Sequence, residues 1–169
     1  MSKEMLFIGI DGGNAGGIVG IQGRKILFMH PMPIIKTTDS RNEYDCLEIL
    51  RILERNPDAT VILEKAHPMP KLGSASAFNF GKSFGTMIGL LTALKIRHHI
   101  VHARTWQTAL FKDQPHGNTK HASVVVAKRL FPEQDFKVSE RSKKPSDGLT
   151  DATLLAFYGQ NYLYEKDTR

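Results

Sequence analysis

The chain has 169 residues, 41% of them hydrophobic, and a formal net charge of +6 from 23 Lys and Arg against 17 Asp and Glu. This composition is typical of a soluble globular protein, so we expect one domain over residues 1–169. No apolar run approaches the roughly 20 residues that cross a bilayer, the N-terminus has no secretory cleavage site, and the single cysteine, Cys46, excludes an intramolecular disulfide and a zinc cluster. We therefore predict a cytoplasmic protein with no membrane partner.

The positive charge is concentrated in one part of the chain. Residues 95–144 contain 11 basic and 4 acidic residues, a net of +7, so the remainder of the chain sums to −1. Five of the seven histidines lie in the same window. A basic half beside a neutral half indicates a polyanionic partner. The alternative is a basic surface that is simply solvated.

The first predicted elements are three antiparallel strands. Residues 5–10 form an apolar run that ends at Asp11, and a Gly-rich turn leads into a second run at 18–21. A further turn precedes a third strand at 25–30. A carboxylate at the end of a buried strand is costly unless something pairs with it. Asp11 is therefore a candidate site residue, unless it only hydrogen-bonds its own turn.

The middle of the chain continues with a helix and a strand. We predict the helix over residues 42–55, with Asp39 or Ser40 as its cap. The β-branched segment 60–64 is predicted as a strand that again ends on a carboxylate, Glu64. The apolar positions expected on the helix are Tyr44, Leu47, Leu50 and Leu53.

A long helix is predicted next, over residues 77–95. It contains Gly81, Gly85 and Gly89, which are four residues apart and therefore lie on one face. Each glycine costs roughly 1 kcal/mol relative to alanine, so close approach of another backbone, from the sheet or from a partner helix, would compensate. The remaining predicted elements are a strand at 98–102, a short helix at 105–111, and helices at 119–130 and 147–162.

The order of the elements brings Asp11 and Glu64 together. A crossover that contains a helix returns the strand at 60–64 parallel to the first strand. If these strands are neighbours, both acids lie at the C-terminal edge, where open α/β sheets bind ligands. We predict an α/β fold with a mixed five-stranded sheet, three antiparallel strands followed by two parallel ones, flanked by helices.

Asp147 and Asp151 form a second acidic pair. They are four residues apart, so they lie on one face of the final helix. The helix dipole favours negative charge at that end, so either acid could be a simple capping residue. Ala152 is small and suits close contact between this helix and the sheet.

Four carboxylates cannot be ionised close together without cations. Oxygen ligands suit Mg²⁺ or Mn²⁺ rather than zinc. Two such ions roughly 4 Å apart form the clamp used for in-line phosphodiester hydrolysis. A basic surface beside such a site would hold the backbone of a nucleic acid. The sequence therefore predicts a metal-dependent nuclease.

Three segments resemble the motif blocks of the RuvC-type Holliday junction resolvases, and of phage-encoded versions in particular. They are IGIDGGNAGGIVGI, VILEKAHPMPKLGSASAFNFGKSFG and KPSDGLTDATLLAFYG, in the expected order and over almost the whole chain. The resemblance implies an RNase H-like fold, two Mg²⁺ or Mn²⁺ ions per site, a homodimer, and paired cuts across a four-way junction in branched DNA. It implies no nucleotide cofactor. The acids that it assigns to metal binding and catalysis are Asp11, Glu64, Asp147 and Asp151.

The sequence departs from the family pattern at two places. The last two acids are four residues apart, where familiar bacterial members have three, so the resemblance leaves open which of Asp147 and Asp151 contacts metal. Bacterial members have an aromatic residue in the loop after the Glu, where this chain has His67 and Pro68. Phe78 and the tip of this loop are the candidate substitutes. The residues that we predict to contact DNA are Lys65, His67, Lys71, Phe78, Arg104, Lys112, Lys120, Arg141, Lys143 and Lys144.

Other functions fit parts of the pattern. An RNase H-like nuclease that acts on flaps or forks would use the same acids. Sugar-kinase and actin-like ATPases also have a strand that ends in Asp-Gly-Gly, as at 11–13, but they need a second domain. A non-catalytic DNA-structure binder would not need four acids. Trp106 is predicted as a core residue, with stacking on a base as the alternative.

Overall fold

The computed structural model describes residues 5–38, 41–66, 73–114 and 119–163. The strands are β1 (Phe7–Asp11), β2 (Gly17–Gln22), β3 (Lys25–Pro31), β4 (Ile34–Lys36), β5 (Asn42–Tyr44), β6 (Thr60–Glu64) and β7 (His98–Val101). The helices are α1 (Cys46–Glu54), α2 (Ser74–Ala93), α3 (Ala103–Leu110), α4 (Thr119–Leu130) and α5 (Asp147–Tyr158), which continues as a π-helical segment, Gly159–Leu163.

The predicted fold class is confirmed. A five-stranded sheet has the order β3-β2-β1-β6-β7. The strand β2 pairs antiparallel with both β1 and β3, whereas β6 pairs parallel with β1 and β7 pairs parallel with β6. Because β6 returns next to β1, the C-terminal ends of β1 and β6 meet at one edge of the sheet.

Alternate residues of the central strands face opposite sides of the sheet. On β1, Phe7 belongs to the core formed with α3, α4 and α5, whereas Ile8 belongs to the core formed with α1 and α2. On β6, Ile62 and Leu63 divide between the two cores in the same way. Both strands are therefore buried on both faces, which explains why their sequences are continuous apolar runs.

The structure corrects the helix predicted over residues 42–55. Its first residues form β5, which pairs antiparallel with β4 in a separate two-stranded sheet. The helix α1 begins only after Asp45, whose side chain accepts a hydrogen bond from the backbone N–H of Glu48 at 3.1 Å. Asp45 thus satisfies a free N–H group at the helix start.

The apolar face predicted for this helix is also partly wrong. Leu47 is 67% exposed, whereas Ile49, Ile52 and Leu53 are buried in the core. The proposed caps, Asp39 and Ser40, lie outside the described residues. The error arose because the apolar spacing was extended backwards through Tyr44, which belongs to a strand.

The glycine face of α2 points away from the protein's own core. Gly81, Gly85 and Gly89 are exposed, and a Cβ added to any of them would meet no atom of the described chain within 4 Å. The buried residues of this helix, Met87 and Leu91, lie on its other side. Packing of the glycine face on the protein's own sheet, one of the two explanations offered by the sequence, is therefore contradicted.

Apart from β4, for which no strand is predicted from the sequence, the other helices and strands lie within a few residues of their predicted bounds. The longest helix in the described ranges is α2, with 20 residues. Within those ranges, none of the helices combines the length and the apolar character that crossing a membrane requires.

Candidate active site

Asp11 and Glu64 end two neighbouring parallel strands. In the pairing of β1 with β6 the two acids occupy equivalent positions, just beyond the last paired residues. By the alternation of the strands, Asp11 lies on the face of Gly9, and Glu64 lies on the face of Ile62, which is the face that α5 covers. The structure therefore brings these two predicted site residues together at one edge of the sheet.

Helix α5 brings Asp147 and Asp151 to the same edge because glycines let it approach closely. A Cβ added to Gly9 of β1 would lie 1.8 Å from the carbonyl oxygen of Ala152. A Cβ added to Gly148 would lie 2.1 Å from the backbone of the β1–β2 turn. Neither position could hold a side chain without moving the helix, so the close contact predicted at Ala152 is confirmed.

Asp151 is the buried member of the pair. Its Oδ1 atom is inaccessible to solvent and accepts no hydrogen bond from the described part of the chain. The pKa of Asp151 is raised to about 7, mainly by burial and also by the charges of Asp11, Glu64 and Asp147, against a hydrogen bond from the Ser123 side chain that lowers it. Asp151 thus lies within electrostatic reach of the three other acids.

Asp147 is in a different environment, at the rim of the site. It is the first residue of α5, whose N-cap Ser146 accepts a hydrogen bond from the backbone N–H of Leu149 at 3.4 Å. Its side chain is 48% exposed, and one carboxylate oxygen lies 3.2 Å from Nζ of Lys120. Exposed pairs of this kind contribute at most about 1 kcal/mol, so Lys120 can leave Asp147 at little cost.

Among the residues that the structure describes, Asp11 and Glu64 each accept one hydrogen bond. The backbone N–H of Gly13 donates to Oδ1 of Asp11 at 3.2 Å, and the indole N–H of Trp106 donates to Oε2 of Glu64 at 2.7 Å. Burial raises the pKa of both acids, these hydrogen bonds lower it, and a neighbouring acid, Asp147 for Asp11 and Asp11 for Glu64, raises it again. Both groups are therefore carboxylates in surroundings that disfavour negative charge.

Two residues that support the site were not recognised as such in the sequence. Trp106 is fully buried, as predicted for a core residue, but it also orients Glu64. Tyr44 donates a hydrogen bond from its hydroxyl to the carbonyl of Gly12, next to Asp11. A buried indole N–H needs an acceptor. Trp106 lies on the helix that follows β7, and β7 is the strand that pairs with Glu64. This placement could have predicted Glu64 as the acceptor of the indole N–H.

The donor set fits a hard divalent cation. In the described ranges, no three His, Cys, Asp or Glu side chains are close enough together to hold an ion as they stand. The unpartnered Oδ1 of Asp151, and the burial and neighbouring acids that raise the pKa values of Asp11, Glu64 and Asp151, nevertheless describe carboxylates that a bound cation would stabilise. Since every donor is a carboxylate oxygen, Mg²⁺ or Mn²⁺ suits the cluster better than zinc.

The predicted DNA-contacting residues that the structure describes are all at least partly exposed. Lys65 directly follows Glu64, and Phe78, on α2, is 70% exposed. Lys120 is placed against the acids by its pair with Asp147. His67 and Lys71 lie outside the described residues. The other members of the set that the structure describes are Arg104, Lys112, Arg141, Lys143 and Lys144.

Comparisons with known proteins find similarity in structure but not in sequence. No model of a protein family matches the chain, and no curated protein matches it. The structure is similar to that of T. thermophilus RuvC in complex with a Holliday junction substrate, with a TM-score of 0.65 and 16% identity over 96% of each chain. A second Thermus thermophilus RuvC structure gives a TM-score of 0.56 and 17% identity over 92% of this chain and 96% of that one.

At such low identity these likenesses show the fold. The chain has an RNase H-like fold of the RuvC type, as the three motif segments implied. The similarity to phage-encoded versions stays a prediction from the sequence.

Proposed function

We propose that this protein is a metal-dependent endonuclease that cleaves branched DNA and resolves four-way junctions by paired phosphodiester hydrolysis. The observation that carries the proposal is the buried carboxylate of Asp151. One of its oxygens has no hydrogen-bond partner in the described chain, and Asp11, Glu64 and Asp147 lie within electrostatic reach. A protein would not keep such a cluster for stability, because a buried unpaired carboxylate is unfavourable. The RuvC-type fold supports the choice of substrate.

The acids have separate roles in this mechanism. Asp11, Glu64 and Asp151 would hold the ions, with Asp147 as a ligand at the solvent-facing rim. Two Mg²⁺ or Mn²⁺ ions, when bound, would activate the attacking water and stabilise the charge on the leaving oxygen. Trp106 fixes one oxygen of Glu64, and the other oxygen would contact an ion. The Gly13 N–H does the same for Asp11.

The basic residues would hold the DNA backbone around the acids. Lys120 is 3.2 Å from Asp147 and 80% exposed, so it can exchange this carboxylate for a phosphate when DNA binds. Lys65, which is exposed beside Glu64, would contact the same strand of DNA. T. thermophilus RuvC, which has this fold, is described in complex with a Holliday junction substrate, and this supports a four-way junction as the substrate here.

We further propose a homodimer. Two cuts on opposed strands need two sites, and a twofold dimer supplies them in one closed assembly. The exposed Gly81, Gly85 and Gly89 of α2 allow a second backbone to approach closely, and their own sheet does not use that face. A second copy packed on α2 would also offset the helix-forming cost of three glycines.

A cleavage assay on matched DNA substrates tests the proposal. Four-way junctions, forks, flaps and linear duplexes of the same sequence are incubated with the protein in Mg²⁺, Mn²⁺ or EDTA. We expect cleavage of the four-way junction in either metal and none in EDTA. A preference for flaps or forks would favour the alternative nuclease, and binding without cleavage in every metal would contradict an enzyme. On a cruciform plasmid, linear product without accumulated nicked circles is expected from paired cuts.

Trp106→Phe is expected to raise the Mg²⁺ concentration for half-maximal cleavage about 10- to 100-fold, because hydrogen-bond partners of metal ligands have effects of that size. The rate at saturating Mg²⁺ should return close to that of the wild type. Metal titrations of single-turnover cleavage measure both quantities. Phe111→Leu is the matched control: it removes a ring packed edge-on against Trp106, at a centroid distance of 5.5 Å, and keeps the indole N–H. Equal shifts in both variants would assign the effect to packing.

Replacing the basic residues should change the salt dependence of DNA binding. For Lys112, Lys120, Arg141, Lys143 and Lys144, each alanine substitution that removes a phosphate interaction is expected to reduce the slope of log affinity against log salt by about 0.9. Filter-binding or gel-shift titrations over a range of salt concentrations measure the slope. Lys25→Ala is the control, since Lys25 begins β3 at the sheet edge remote from the acids. Unchanged slopes in all five variants would place the DNA elsewhere.

A further inference from the structure

An apolar cavity opens beside the acids, on the side of the sheet that faces α2. Its volume is about 230 Å³. Leu63 and Met87, both fully buried, contribute to its apolar lining, and the side chains of Phe80 and Phe84 contribute aromatic rings. Glu64 also lines the cavity, so the cavity and the acidic cluster share a residue.

The two phenylalanines are placed as a pair. Phe80 and Phe84 are four residues apart on α2 and therefore lie on one face of the helix. Phe78, two residues before Phe80, is not among the residues that line the cavity. Phe80 is 37% exposed, so a ligand can reach its ring from solvent. The cavity thus presents aromatic surface next to a carboxylate that would hold an ion.

This combination limits what the cavity can bind. Glu64 and Lys65 both line the cavity, so it carries no net charge that would select an anion or a cation, and a polar ligand would find few partners because most of the lining is apolar. A flat group with an apolar face fits these walls, because aromatic side chains stack on such groups irrespective of their polar edges. The ligand must also be compatible with a phosphodiester held at the neighbouring acids.

We propose that this cavity holds an unstacked nucleobase from a nucleotide next to the scissile phosphate. The inference rests on the proposed nuclease function, which places that phosphate at the acids. A base joined to it through its sugar can enter the cavity only if it leaves the helical stack. Unstacking is least costly where a base is already unpaired. A branch point interrupts the helical stack, so a base beside it has fewer stacking partners to lose than a base inside a continuous duplex, and the cavity selects for branched DNA independently of the shape of the junction.

Abasic junctions test the cavity. A single abasic nucleotide is placed in turn at each position flanking the cut, and single-turnover cleavage is measured for the wild type, Phe80→Ala and Phe84→Ala. Stacking on an aromatic side chain contributes about 1–3 kcal/mol per base, which is roughly 5- to 150-fold. We expect one abasic position to slow the wild type by a factor in that range. The same abasic position should add little to the slower rates of the two variants.

The matched control is Phe78→Ala, the same change on the same helix outside the cavity. Phe78 is itself a predicted DNA contact, so Phe78→Ala can slow cleavage of intact and abasic junctions alike, but it should keep the full sensitivity to the abasic position. Three results would show that the cavity does not hold a base. No abasic position slows cleavage by the wild type, or Phe80→Ala and Phe84→Ala are slowed as much as the wild type. The third is that Phe78→Ala alone loses its sensitivity to the abasic position. Phe80 is partly exposed, so Phe80→Ala retains a folded variant to test if Phe84→Ala does not fold.

Equilibrium binding of the same junctions in EDTA separates this inference from the function on which it rests. The abasic position should weaken binding by the wild type more than binding by Phe80→Ala, whether or not the DNA is cut. A protein that shows this coupling but cuts nothing would contradict the nuclease and keep the base site. A protein that cuts the junction but shows no coupling would contradict the base site alone.

Discussion

Asp11→Asn is expected to abolish cleavage of branched DNA while leaving junction binding intact or tighter. The substitution keeps the size of the side chain and its acceptor for the Gly13 N–H, but it removes the negative charge that would hold an ion. The reduction in rate should exceed the roughly 10- to 100-fold that follows removal of a hydrogen-bond partner of a metal ligand. Binding should not suffer, because a carboxylate at the site repels the phosphate backbone in the absence of metal.

The measurement is single-turnover cleavage together with gel-shift affinity in EDTA. Glu64→Gln should behave in the same way, since Glu64 is the equivalent residue of the neighbouring strand. Asp58→Asn is the matched control: it removes an exposed carboxylate from the turn before β6, at the opposite edge of the sheet, and should change neither quantity. An Asp11→Asn protein that still cuts at a substantial rate would refute the assignment of the site.

The pairing of Asp11 with Glu64 could be predicted because it depends on local patterns and a topological rule. Each acid ends an apolar run, and a helical crossover returns the second strand parallel to the first. The close approach of the final helix, α5, to the sheet could be predicted only in part. Ala152 indicated close packing, but the close approach also needs Gly9, which is far away in the sequence.

The short strands β4 and β5 could not be predicted from periodicity. Each has three residues, too few to establish a period, and β4 is exposed throughout. Tyr44 was assigned to a helix because its spacing from Leu47 suits one. Its function depends on a hydrogen bond to Gly12, 32 residues earlier, and the bond from Trp106 to Glu64 spans 42 residues. Interactions of this range leave no trace in local patterns.

The sequence also could not distinguish Asp147 from Asp151. Their spacing of four residues puts both on one face of α5. Both also lie near the N-terminus of the helix, where the helix dipole favours a negative charge, so either could be a capping residue. The difference comes from the position of the helix over the sheet. The first turn of α5 lies over the β1–β2 turn, where Asp147 meets solvent and Lys120, whereas the second turn lies on β1 and buries Asp151. The two acids therefore differ in how deeply they are buried, although the sequence presents them as equivalent.

This difference leads to the second large effect: Asp151→Asn is expected to abolish cleavage and, without metal, to stabilise the fold. Burial raises the pKa of Asp151 from 3.8 to about 7 in the folded protein. The folded state therefore binds this proton more tightly than the unfolded state does, so the free energy of unfolding falls as the pH rises from about 4 to about 7. Above pH 7 the ionised carboxylate destabilises the fold by at most about 4 kcal/mol, less where solvent screens it.

Asn cannot ionise, so the variant should escape this penalty. In EDTA at pH 8 its free energy of unfolding should exceed that of the wild type by on the order of 1–4 kcal/mol, and the gain should shrink towards pH 4. Urea denaturation at several pH values measures it. Mg²⁺ should stabilise the wild type by mass action and the variant much less, so added metal should narrow the difference at pH 8.

Asp147→Asn is the matched control, one helical turn away. Its carboxylate is 48% exposed, so stability should change little at any pH, and cleavage should fall less than in Asp151→Asn because a ligand at the rim can be replaced by water. Equal and mild reductions of cleavage in both variants would contradict the placement of the ions. A stability gain at pH 8 equal to that at pH 4 would show that the charge of Asp151 is not what destabilises the fold. If both parts of the prediction hold, the same buried carboxylate lowers stability without metal and is required for cleavage with it.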